Sequence, residues 1–92
     1  TTTVNLDTFV KTNYRTAKYL IQATSLANVH SCEIVMTHDG TNTFMTEYAM
    51  VRNAGSIFNL TSDISVNDVR LRVTPATTDS TTFKVLRTSI TA

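Results

Sequence analysis

The chain has 92 residues, 41% of them apolar and 16% charged; that bounds it to one small domain and removes it from the compositions expected of disordered chains. Its formal net charge of +1 supplies no broad field for nucleic acid or an anionic membrane, so neither is expected as a partner. No apolar run is long enough to span a membrane as a helix.

Threonine stands out, with 19 copies beside 2 Gly and 1 Pro. Its β-branched side chain suits the exposed face of a pleated sheet, and an abundance spread along the chain favours an all-β protein. Cys32 is the single cysteine, so no internal disulfide forms and folding in a reducing compartment is expected. The chain opens on Thr1-Thr2-Thr3 without a methionine, which suggests either a processed protein or a module of a longer one; we favour the second and read 1–92 as a single domain.

Along the chain, "VNLDTFV" reads as a short first strand or an ordered arm through Val4, Leu6 and Phe9. A single helical turn capped by Asp7 or Thr8 is its competitor. "TAKYLIQATSL" puts Ala17, Tyr19, Ile21 and Ala23 on one face and reads as a central strand. "SCEIVMTH" and "TFMTEYAMV" alternate in the same way, and between them "HDGTN" supplies the glycine and turn formers of a tight hairpin.

"SIFNLTSDISV" reads as a strand or an edge segment through Phe58, Leu60 and Ile64. "DVRLRVTP" has the cleanest alternation, with Val69, Leu71 and Val73 inward, Arg70, Arg72 and Thr74 outward, and Pro75 ending the ladder. "TTFKVLRTSI" is expected to pair with it through the polar loop "ATTDS" as a second hairpin. Within that last strand Phe83 and Val85 share one parity while Leu86 and Ile90 share the other, which calls for a bulge or for burial on both faces. The expectation is a single small antiparallel β-sandwich of about seven strands.

Candidate chemistry gathers around His30, Cys32, His38 and Asp39. On one strand face, at about 3.3 Å per residue, His30 and Cys32 can meet one ion, but His38 lies too far along to join them. The same distance separates Cys32 from His38 as a nucleophile and base. With no Gly-rich phosphate loop, nucleophile motif or carboxylate pair in view, no catalytic residue, metal or cofactor is assigned and an enzyme is not expected.

Arg70, Arg72 and Lys84, with Arg87 beside them, form a candidate basic face; the competing reading is a solvated surface. Tyr14, Tyr19 and Tyr48 offer rings to a glycan or to the core. Asn59-Leu60-Thr61 matches a glycosylation acceptor, a pattern common by chance. Candidate contact loops are Asp39, Gly40, Thr41 and Asn42, then Thr77, Thr78 and Asp79, with "RNAGS".

Three blocks in order, "YRTAKYLIQAT", "EIVMTHDGTNTFMTEYA" and "DVRLRVTPATTDSTTFKVLRTSI", resemble a β module of virion structural and tail-fibre-like proteins of tailed phages, especially contractile-tailed cyanophages. The resemblance runs from Val4 to Ile90 and departs at Val29-His30-Ser31-Cys32 and at "MVRNAGSIFNL". It implies a non-enzymatic particle component (capsid decoration, neck, baseplate or fibre) that assembles in the host cytoplasm and meets other virion proteins and copies of itself. The alternative is a tail-fibre domain that binds a host receptor or carbohydrate, with a host-surface glycan as ligand.

Overall fold

The computed structural model describes residues 2–76 and 79–92. Its strands are β1 (Val4–Val10), β2 (Tyr14–Ser25), β3 (Asn28–His38), β4 (Thr43–Arg52), β5 (Phe58–Ser65), β6 (Asp68–Pro75) and β7 (Thr81–Thr91). All pairings are antiparallel, and they form a three-stranded sheet β1-β6-β5 and a four-stranded sheet β4-β3-β2-β7. The protein is thus an all-β sandwich, with no helix among the described residues. The capped turn that competed for "LDTFVKTNYR" is instead strand β1 followed by a short turn.

Alternation decides which faces meet. Ala17, Tyr19, Ile21 and Ala23 of β2 are fully buried, as are Val69, Leu71 and Val73 of β6, while Lys18, Leu20 and Gln22 point away from the core. Cys32, Ile34 and Met36 of β3 complete the inner face, and Phe9, Ile57 and Phe58 close it. Each large side chain placed here contributes roughly 1.5–3 kcal/mol relative to exposure, so a one-residue slip that turned β2 over would be prohibitive.

The expected hairpin between "DVRLRVTP" and "TTFKVLRTSI" does not form. β6 pairs with β1 and β5, whereas β7 crosses to the other sheet and pairs along β2 from Thr81↔Ser25 to Thr91↔Tyr14. Both edges of β6 are already occupied, and β2 offers β7 a free edge whose inward residues match its own, Ala23 beside Phe83 and Ile21 beside Val85. The parity change in β7 has a third explanation. Its register is unbroken from Thr81 to Ile90, and Leu86 and Ile90 remain on the outer face, 64% and 63% exposed.

Two hairpins turn without glycine. Ser25↔Asn28 and Ser65↔Asp68 each close a two-residue turn, and the first turn residues, Leu26 and Val66, take positive φ values of 54° and 59°. A side chain with a Cβ pays for this conformation, and a β-branched one pays most. Val66 is also 85% exposed, so its side chain recovers little by packing. Val66→Gly should therefore raise stability by about 0.5–1 kcal/mol after glycine's own entropic cost. Urea unfolding followed by circular dichroism reads this directly, and an unchanged or lower midpoint would contradict the strain.

Candidate functional site

The corner "HDGTN" is built from backbone needs. Gly40 has φ +93°, with open space where a Cβ would stand, so backbone conformation rather than crowding reserves the position for glycine. One Asp39 carboxylate oxygen accepts from the Thr41 and Asn42 amides at 2.9 and 2.7 Å. These bonds hold the Asp39 carboxyl below its usual range, the Asn42 amide first.

His38, which precedes Asp39 at the end of β3, is buried, and both its ring nitrogens are bonded. Its Nδ1 accepts from the Gly40 amide at 3.0 Å, which leaves Nε2 protonated to donate to the Tyr14 carbonyl at 2.7 Å. Arg15 donates to the His38 carbonyl and Lys11 to the Gly40 carbonyl. Both ring nitrogens and the carbonyl of His38 thus tie the corner to the start of β2.

The candidate contact loops do not converge. Thr37 pairs with Thr16 near one end of β2, so Asp39, Gly40, Thr41 and Asn42 lie there, while Thr81 pairs with Ser25 and carries Asp79 to the opposite end. Thr77 and Thr78 lie outside the described residues. The candidate basic face divides in the same way. Arg70 and Arg72 stand on β6, but Lys84 pairs with Gln22 on the outer face of the other sheet. Arg70 is held by a two-pronged bond to Asp63, which lowers the Asp63 carboxyl below its usual range, and Arg72 donates to Asn5 at 3.1 Å. The tyrosines also part company, with Tyr19 in the core, Tyr14 packed against it and Tyr48 on the outer face of β4.

That outer face of the four-stranded sheet is the surface that alternation alone left unassigned. Cross-strand pairs lay Tyr48, Glu33, Leu20 and Leu86 in one row, Thr46, Val35, Lys18 and Thr88 in the next, and Phe44, Thr37, Thr16 and Ile90 in a third. Phe44 is 55% and Leu20 48% exposed. Lys18 and Glu33 approach to 3.9 Å and offset each other's charge. A shallow depression of about 180 Å³ is lined by Lys18, Leu20, Glu33, Leu86 and Thr88. It is smaller than the ~300–1,000 Å³ in which small ligands are usually enclosed, and its shape suits contact with another surface. The signal in the sequence was the wrong-parity pair Leu86 and Ile90 together with Leu20.

His30 and Cys32 are both buried on β3, and Glu47 of β4 reaches toward them. Burial pushes the Cys32 thiol up to about 12, with a hydrogen bond to Glu47 adding to the effect.

No protein-family model matches the chain, and no curated protein matches it.

The Asp39 corner makes a signed pH prediction. Because the folded carboxyl ionises below its ordinary value, its contribution is present above pH ~4 and is lost as pH falls through the folded value. Asp39→Asn keeps an oxygen for the two amides and removes the titration. Urea midpoints measured between pH ~6 and ~2 should therefore fall less steeply for Asp39→Asn than for the wild type; parallel curves would contradict the assignment.

Proposed function

We propose that the chain is a non-enzymatic structural module of a tailed-phage particle, assembled in the host cytoplasm, which joins copies of itself and neighbouring virion proteins through the outer face of the four-stranded sheet. The particle context is supported by the three ordered sequence blocks. The observation that carries the assembly role is the difference between the two outer faces. The three-stranded sheet shows solvent Arg70, Asp63, Arg72, Asn5 and Thr61, largely paired among themselves, whereas the four-stranded sheet shows Phe44, Val35, Leu20, Leu86 and Ile90 set among threonines.

Apolar residues gathered on one sheet face in this way are the usual mark of an association surface. Its ion pair offsets itself, so the face favours an uncharged protein surface over a polyanion. The host-glycan alternative draws less support, because Arg70 is committed to Asp63 and Lys84 belongs to the opposite face.

Light scattering across a concentration series tests the reading. The wild type should show a mass above that of one chain, and Leu20→Lys combined with Leu86→Glu should return it to one chain with little change in melting temperature, since both positions lie outside the core. A wild type that stays monomeric at every concentration and retains no other particle protein would overturn it.

A further inference from the structure

His30 is the most unusual residue of the interior. It is fully buried, its ring stacks on Phe58 at 4.2 Å between centroids and 29° between planes, and neither ring nitrogen has a hydrogen-bond partner among the described residues. Native interiors rarely leave a polar side chain in that condition, because its lost hydration is not replaced. Stacking on Phe58 accounts for where the ring lies and leaves its nitrogens without a role.

Two further ligand types converge on it. Cys32, two residues along the same inward face, is 1% exposed, and Glu47 comes from the facing strand, where its neighbour across the ladder is the inward Ile34. The His30 nitrogen, the Cys32 sulfur and a Glu47 oxygen all lie within 4.8 Å of one another. A β-bulge sits beside them. Ser31 pairs with Val51 and Glu33 with Tyr48, so Ala49 and Met50 together face Cys32, and Ala49 takes a positive φ of 53°. Bulges of this kind re-aim side chains and concentrate near functional sites.

We propose that His30, Cys32 and Glu47 form a binding site for one divalent transition-metal ion, with Zn²⁺ the best-suited ion. Imidazole, thiolate and carboxylate are the three ligand types that Zn²⁺ takes, at about 2.0–2.3 Å in a tetrahedron. Bonds of that length put ligand atoms roughly 3.3–3.8 Å apart, so closure needs a movement of about 1 Å. Glu47 is exposed, and rotation about its side-chain bonds is enough to supply it. On binding, the Cys32 S–H bond breaks, its proton passes to solvent, and a sulfur–metal bond forms with no change of oxidation state. The ion would fasten edge strand β4 to β3 at the open side of the sandwich. The same burial that isolates His30 pushes its ring pKa below the ordinary imidazole value, with Glu47 opposing and the Arg52 guanidinium assisting.

Co²⁺ titration of the whole chain, stripped of metal beforehand, is the test. One Co²⁺ per chain should bind with the visible absorption of a tetrahedral site and a near-ultraviolet thiolate-to-cobalt band, and Zn²⁺ should displace it. Cys32→Ser should abolish the near-ultraviolet band. Glu47→Gln, at an exposed position that leaves the core untouched, should weaken Co²⁺ binding at least the ~10-fold that losing even an outer-shell partner costs. Zn²⁺ at a hundred times its dissociation constant should raise the melting temperature of the wild type by about 10 °C or more, and that of Glu47→Gln by less. A folded wild type with no thiolate band and no Zn²⁺-dependent melting shift would overturn the site, and Co²⁺ binding untouched by Glu47→Gln would overturn its third ligand.

Discussion

A single carboxylate of β1 bonds to two strands of the opposite sheet. Asp7 of β1 accepts from the Tyr19 hydroxyl of β2 at 2.9 Å and from the Arg87 guanidinium of β7 at 2.8 Å, both on the same oxygen. Arg87 also lies over the rings of Phe9 and Tyr14, at 5.4 and 5.5 Å. Apolar burial supplies most of the attraction between the layers but has little directional preference, whereas this contact fixes where β1 stands relative to β2 and β7. Asp7 reaches it because a register shift between Asn5 and Asp7 turns the carboxylate inward beside Leu71. Burial, reinforced by Asp7, pushes the Tyr19 hydroxyl far above its ordinary range, so it remains a donor.

With the layers fixed in this way, two features stand apart from the packed core: the outer face of the four-stranded sheet and the His30 cluster. The outer face of β4-β3-β2-β7 keeps Leu20, Leu86, Phe44 and Ile90 in solvent, residues that a solitary domain gains nothing by exposing. Edge strand β4 is tied to β5 by a bond between the Thr43 and Ser62 hydroxyls, and the His30, Cys32 and Glu47 cluster lies between β3 and β4. An ion there would act where a sandwich is weakest, at an edge strand. The proposed association surface and the proposed ion site thus lie on opposite faces of the same sheet.

The sandwich was legible because alternation is a direct imprint of a half-buried sheet: Val69, Leu71 and Val73, or Ala17, Tyr19, Ile21 and Ala23, could face only one way. The Asp39-Gly40 corner was legible because few residues other than glycine accept φ +93°. The partner of β7 was not, since a polar loop after Pro75 serves a hairpin and a crossing between sheets equally well. Nor were the turns at Leu26 and Val66, which lack the glycine that usually marks them. Glu47 was not legible as a companion of His30 and Cys32 because spacing along one strand carries no information about the strand opposite, from which the fold brings it.

The assembly role of the outer face is tested most directly by methyl chemical shifts of isotopically labelled protein over a wide range of concentration. Association through this face predicts that shifts moving with concentration cluster at Leu20, Val35, Leu86 and Ile90, with Val69, Leu71 and Val73 of the core nearly still. Shifts that do not depend on concentration, or that gather on the Arg70 and Arg72 side of the molecule, would contradict it.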